Sequence, residues 1–196
     1  GSTLMNPIRL LVRFQVCLFA AFLACWPAVV SAAELDGTKT IFANTRDKQR
    51  IPLGTVRFSP RGGGVSSFEI SMDHARFADH FLSMKEFKCL DGKVEIVCHV
   101  PYPYSNPRTV SAKDMSWLEH DLLFLFKRPG EFGASMRNGL YFRLEPGERG
   151  WVGSPQAIDL NYISAPPDAS DVAPYDPATR DDVAPGERWI ESLLIE

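Results

Sequence analysis

Three segments near the start of the chain's body alternate apolar and polar residues with a period of two, namely residues 38–43, 51–58 and 68–73. Alternation of this kind places one face of a β-strand in a core and the other in water. Residues 46–48 and 59–64 separate the three segments and carry turn-forming aspartate, proline and glycine. The pattern therefore predicts an antiparallel meander.

Two stretches change to helical spacing. Asp73 can cap a helix over residues 74–84, in which Phe77, Phe81 and Met84 share one face. A second helix is predicted to begin after Ser111, which forms a capping-box-like pair with Asp114, and to end at residues 128–130. Its apolar stripe comprises Met115, Leu118, Leu122, Leu125 and Phe126.

A hairpin around Asp91-Gly92 and strands at residues 139–145 and 151–160 complete the predicted order, βββαββαββ. We expect an α+β fold, with a largely antiparallel sheet of about seven strands and two main helices on one face. Residues 34–164 form this single domain. Residues 165–196 form an extended, acidic, Pro- and Asp-rich tail whose apolar end docks on the body as either strand or helix.

The N-terminus has the pattern of an export signal. Residues 1–4 resemble a cloning remnant, and residues 5–33 combine Arg9 and Arg13, an apolar run cut short by Pro27, and small residues before the predicted cleavage site. A membrane anchor and lipidation at Cys25 are the alternatives. We expect a periplasmic or secreted protein with no membrane span after cleavage.

The charge balance excludes one class of partner. Without residues 1–33 the chain keeps 19 of its 21 basic residues and all 24 acidic ones, a net charge of −5. Nucleic-acid binding requires a basic stripe that neutralises phosphates, and the sequence contains no run of lysine and arginine. We therefore expect no nucleic-acid partner.

Two cysteines remain after signal cleavage, Cys89 and Cys98. An even number of cysteines in an oxidising compartment predicts a disulfide, although two buried thiols or an unusual metal site remain possible from sequence. A two-residue turn at Asp91-Gly92 would place Cys89 opposite Val94 instead. The disulfide therefore requires a wider loop or a bulge.

Asp121 is the main candidate for chemistry. On a helical wheel it lies beside the apolar stripe, so its carboxylate is expected to be partly buried and to pair with Arg108, Arg143 or backbone N–H groups. Its alternative role is a general acid or base with a raised pKa near His99 or His120. His99 itself is expected to bond a backbone carbonyl, and His120 to face solvent.

The spacing of His74, His80, His99 and His120 matches no metal-binding motif, so no metal and no cofactor are predicted. The Pro-Tyr segment, residues 101–107, and Arg108 directly after it suit recognition because prolines hold the segment extended. The candidate binding residues are Tyr102, Tyr104, Asn106 and Arg108, although the segment could instead pack on its own sheet.

The sequence thus favours an exported, non-enzymatic binding or accessory protein with an unknown periplasmic protein, peptide or glycan as partner. The alternatives are a small hydrolase that uses Asp121 with a histidine, and a protein-interaction or inhibitor module.

Overall fold

The computed structural model describes residue 1, residues 33–82 and residues 85–196. The predicted signal peptide, apart from residue 33, and the end of the predicted first helix, residues 83–84, lie outside this part of the chain. The described residues form the twelve strands β1 (Gly37–Thr45), β2 (Arg50–Gly62), β3 (Val65–Met72), β4 (Ala78–Leu82), β5 (Lys85–Asp91), β6 (Ile96–His99), β7 (Thr109–Ser111), β8 (Phe124–Lys127), β9 (Gly139–Pro146), β10 (Trp151–Ile158), β11 (Asp181–Asp182) and β12 (Ile190–Ile195), with one helix, α1 (Ser116–Asp121).

All twelve strands belong to one antiparallel sheet in the order β4-β5-β6-β8-β9-β10-β12-β1-β2-β3-β7, and β11 pairs with β10. The sheet must curl strongly. In a flat sheet β3 and β4, nine places apart, would be separated by about 43 Å at the usual strand spacing. Residues 73–77 join them directly and can span only about 20 Å.

The curled sheet encloses one hydrophobic core. Fully buried side chains come from strands along its length and from α1, which contacts β7 and β9. They include Ile41, Leu53, Leu118, Phe124, Phe142 and Leu193. The core therefore depends on residues that are distant in sequence.

The apolar C-terminal end docks as a strand. β12 lies between β1 and β10, pairs with both, and places Leu193 and Ile195 in the core. The sequence left the choice between strand and helix open, and the structure shows a strand. Because β12 fills a central position, the last six-residue element of the chain is required to complete the sheet.

The predicted disulfide is present. Cys89 on β5 lies directly opposite Cys98 on β6, and the two cysteines are bonded. The last pair of the ladder is Asp91 with Ile96, so a four-residue loop, residues 92–95, replaces the two-residue turn. The wider loop that the bridge required is what the chain adopts.

The expected α+β class is wrong, because the described residues contain a twelve-stranded sheet and a single short α-helix. The first predicted helix is one 3-10 turn, His74–Arg76, capped by the Asp73 side chain. The chain then extends as β4, which pairs with β5 and leaves Phe81 75 % exposed. Strand pairing overrides the helical spacing of three apolar residues.

The second predicted helix ends early. α1 stops at Asp121, and the following apolar run continues as β8 between β6 and β9. Leu122, Leu123, Phe124 and Leu125 are all fully buried. A continuous apolar run fits a central strand covered on both faces as well as it fits a buried helix, and periodicity does not separate the two.

No helix within the described residues has the length and apolar character needed to cross a bilayer.

Candidate functional site

Asp121 ends α1 and is only 6 % exposed. Burial raises the pKa of its carboxyl to about 6, and the positive charge of Arg108 opposes this rise. No side-chain hydrogen bond to this carboxylate occurs within the described residues, and Arg143 forms an ion pair with Glu145 instead. Asp121 is thus a buried acid that Arg108 compensates only weakly.

His99 bonds a backbone carbonyl, as predicted. Its Nε2 lies 2.8 Å from the main-chain oxygen of Asp121, and burial lowers the pKa of the imidazole. This contact joins the His99 ring to the backbone and does not involve the Asp121 carboxylate. The two residues are therefore in contact, but no hydrogen bond joins their side chains within the described residues.

The Pro-Tyr segment forms neither helix nor strand, and its two tyrosine rings turn inward. Tyr102 is 5 % exposed and packs against Trp117 and His120. Tyr104 is half-buried and donates its hydroxyl to the carbonyl of Ile163 at 3.0 Å. These side chains are held by contacts within the molecule.

The end of the Pro-Tyr segment is held by a local bond. The Asn106 side-chain oxygen accepts the backbone N–H of Arg108 at 2.9 Å. Arg108 is exposed, and its backbone has a positive φ of 51°. Of the four predicted binding residues, Arg108 offers the most accessible side chain.

A buried polar network on α1 was not foreseen. The Glu119 carboxylate accepts the Tyr141 hydroxyl and, at 2.7 Å, the backbone N–H of Leu144. Burial raises the pKa of Glu119, and these two donors limit the rise. Both oxygens of the carboxylate are therefore occupied within the protein.

The prediction that His120 faces solvent is wrong, because the ring is fully buried. Its Nδ1 lies 2.6 Å from the carbonyl of Ser116, and its Nε2 accepts the backbone N–H of Tyr175 at 3.1 Å. Burial lowers the pKa of the imidazole to about 4, so it is neutral at pH 7. The ring bridges α1 and the tail, with both nitrogens in use.

A cleft of about 520 Å³ lies beside this network. Arg180 crosses it, with its guanidinium carbon 4.3 Å from the centre of the Tyr141 ring and Nη1 3.1 Å from the side-chain oxygen of Gln156. The aromatic walls Tyr141, Tyr175 and Trp151 are all at most 2 % exposed. Most of the polar and aromatic groups of this cleft therefore already bond or pack against other groups of the protein.

A second, larger cleft of about 730 Å³ lies where β8 ends and β12 begins. We call it the basic groove, because its walls carry four cations, Arg46, Lys127, Arg128 and Arg188. Lys127 is the last residue of β8 and is only 6 % exposed. Strand ends from separate parts of the curled sheet thus meet around one opening.

Arg188 forms part of the groove wall. Its guanidinium carbon lies 3.8 Å from the centre of the Phe126 ring, a favourable cation–π geometry. Its Nη1 lies 3.1 Å from Glu95 Oε1, and its Nε has no hydrogen-bond acceptor within the described part of the chain. The guanidinium is therefore enclosed but incompletely satisfied.

Trp189 fixes the neighbouring wall. Its backbone N–H donates to Glu95 Oε2 at 3.0 Å, and its indole N–H donates to Asp47 at 3.0 Å. Gly92 permits this packing, because a Cβ there would lie 2.6 Å from the indole ring. The groove is held by hydrogen bonds between elements far apart in sequence.

The basic groove was not predicted from sequence, because its segments resemble ordinary turns and element ends. Residues 128–130 were interpreted as the end of a helix and residues 46–48 as a turn. The only usable signal is a pair of cations directly after an apolar run, Lys127 and Arg128, which is typical of many strand ends.

The Asp121 and His99 side chains line neither the basic groove nor the cleft beside Glu119. Within residues 33–82 and 85–196, no three His, Cys, Asp or Glu side chains lie close enough to hold a metal ion. No family model matches this chain, and it shows no significant similarity to any curated protein or solved structure.

Proposed function

We propose that this chain is an exported, non-enzymatic binding protein of the periplasm, or a secreted one, that holds its ligand in the basic groove. The observation that carries the proposal is a preformed cleft of about 730 Å³ with an enclosed lysine and an enclosed arginine in its walls. Pockets for small ligands have roughly 300–1,000 Å³ and a few placed polar groups.

Export is supported by the predicted signal and by the cysteines. The bond between Cys89 and Cys98 fits a chain that folds where thiols are oxidised, because cytosolic proteins rarely keep disulfides.

The hydrolase alternative has less support. It requires Asp121 and a histidine to converge in a cleft. The ring nitrogens of His99 and His120 instead form hydrogen bonds with backbone groups. A general acid or base must reach the substrate proton within about 3 Å or through one water. The separation of these side chains from both clefts favours a binding function.

The test is native mass spectrometry of the protein purified from the periplasm of its own cells. We expect a mature chain that begins near Glu34, contains one disulfide, and carries a non-covalent adduct that is lost on unfolding. A periplasmic species that retains residues 5–33 would overturn the export proposal. A mature chain without any adduct would overturn the binding proposal.

A further inference from the structure

We infer that the basic groove binds an organic anion, with a carboxylate or phosphate group held by Lys127 and Arg128 beside the Arg188 guanidinium. This inference rests on the proposed function and adds the chemical class of the ligand. It is carried by an imbalance between the cations and acids of the groove walls: each acid has a partner within the protein, whereas three of the four cations have no acid partner within the described residues.

Each of the three acids of the groove accepts at least one hydrogen bond from a backbone N–H. Glu95 bonds Trp189 and Arg188, Glu131 accepts the backbone N–H of Arg128 at 3.0 Å, and Glu187 accepts that of Ala184 at 3.3 Å. A carboxylate that accepts backbone N–H groups is fixed and partly neutralised. These acids therefore offer little to a cationic ligand.

Three of the four cations have no acid partner. Within the described residues, no carboxylate oxygen lies within 4.0 Å of the side-chain nitrogens of Arg46, Lys127 or Arg128. Arg46 donates to the carbonyl of Gly186 at 2.6 Å, and the Lys127 ammonium donates to the carbonyl of Glu131.

Lys127 is the buried cation of the groove that lacks a charge partner within the described residues. A buried ammonium without a counter-ion is costly, and lysine is rarely buried unless it is paired. Its side chain lines the groove, so an anion there would supply the missing charge partner. The whole protein is acidic, with a net charge of −3, so this positive site is a local feature.

The groove walls also offer apolar surface next to the charge. Phe126 is half-buried under Arg188, and Val94 and Pro129 are exposed at the opening. A ligand that combines an anionic group with a planar apolar part would use both features. Phenyl phosphate and benzoate are therefore suitable probes, with benzyl alcohol as the neutral and benzylamine as the cationic comparison.

The experiment is isothermal titration of the mature, disulfide-bonded protein with each of the four probes. We expect saturable binding of phenyl phosphate, benzoate or both, with one site per chain, and at least about tenfold weaker binding of benzyl alcohol and benzylamine. The two anions distinguish a phosphate ligand from a carboxylate ligand.

Two variants locate the site. Lys127→Met keeps the length of the buried side chain and should weaken anion binding by at least about tenfold, since hydrogen bonds to charged groups carry that magnitude. Arg128→Gln changes an exposed residue whose side chain makes no hydrogen bond within the described residues, and it should weaken binding about threefold or more. The matched control is Arg61→Gln, an equal loss of charge at the exposed end of β2.

Failure of anion selectivity and failure of binding give different results. If benzyl alcohol or benzylamine binds as tightly as the anions, the ligand class is wrong while the binding function stands. If Arg128→Gln and Arg61→Gln have the same effect on anion binding, the site lies elsewhere. If none of the four probes binds and the purified protein carries no adduct, the binding function fails as well.

Discussion

At the scale of single residues, Asp121 is held under conditions that disfavour its charge. It is buried at the end of α1, where the negative end of the helix dipole adds to the cost of a carboxylate. The pKa is raised from 3.8 to about 6, so this group contributes most to stability below pH 3.8. That contribution is lost as the pH rises through about 6.

Asp121→Asn should therefore be more stable than wild type at pH 7. The shift of about two pKa units corresponds to a gain on the order of 2 to 3 kcal/mol between about pH 4 and pH 7. Urea unfolding of both proteins at these two pH values measures it. Asp168→Asn, at an exposed position, is the control. Equal destabilisation at both pH values would show that Asp121 makes a specific bond in its charged form.

The disulfide offers a second test at this scale. Cys89 and Cys98 are fully buried, nine residues apart, and directly opposite on adjacent strands. Closing a loop of this size should contribute about 2 to 3 kcal/mol to the free energy of unfolding. We expect reduction to lower the urea midpoint and the Cys89→Ala, Cys98→Ala double variant to be insensitive to reductant. An unchanged midpoint for the reduced wild type would contradict this.

At the scale of elements, the strands bounded by turn residues were predictable. β1, β2, β3, β9 and β10 all overlap the strands expected from alternation, since glycine and proline mark their ends. β8 was not predictable, because its continuous apolar run has no period. β4, β7 and β11 are short and owe their conformation to pairing partners, which sequence reasoning does not supply.

The candidate functional residues also divide into those whose environment was predicted from sequence and those whose environment was not. The Cys89–Cys98 bond was predicted from the expected oxidising compartment, against the local turn signal at Asp91-Gly92, and the backbone contact of His99 was predicted as well. The burial of His120 was not, because a helical wheel assumes that one face meets solvent, whereas all of residues 117–121 are buried. The basic groove combines residues 46, 127, 128 and 188, and only the curled sheet brings them together.

The tail beyond β10 should be fastened to the body through Tyr175. Its side chain is 1 % exposed, its N–H bonds His120, and its hydroxyl donates to the carbonyl of Asp159 at 2.8 Å. Tyr175→Ala should cost about 3 to 5 kcal/mol and increase hydrogen exchange over residues 165–180. Tyr162→Ala, a change at a ring that is 62 % exposed, should cost under about 1 kcal/mol. Equal effects of the two variants would contradict this anchoring.

At the scale of the whole molecule, the sheet depends on its last strand. A chain ending at residue 188 lacks β12, so β1 and β10 each lose a neighbour and the core loses Leu193 and Ile195. We expect this chain to show no cooperative thermal transition. The contrasting variant is Asp181→Ala with Asp182→Ala in the two-residue β11, which should change stability by under about 1 kcal/mol. A cooperative transition in the truncated chain would show that β12 is dispensable.

The location of binding can be tested most directly by NMR. Phenyl phosphate is added to the isotopically labelled mature protein, and changes in backbone amide shifts are mapped onto the sequence. We expect the affected amides to be those of residues 94–95, 126–128, 131 and 187–189, which line the basic groove. Saturating changes confined instead to residues 101–108 would contradict this expectation, because they would place recognition on the Pro-Tyr segment and Arg108.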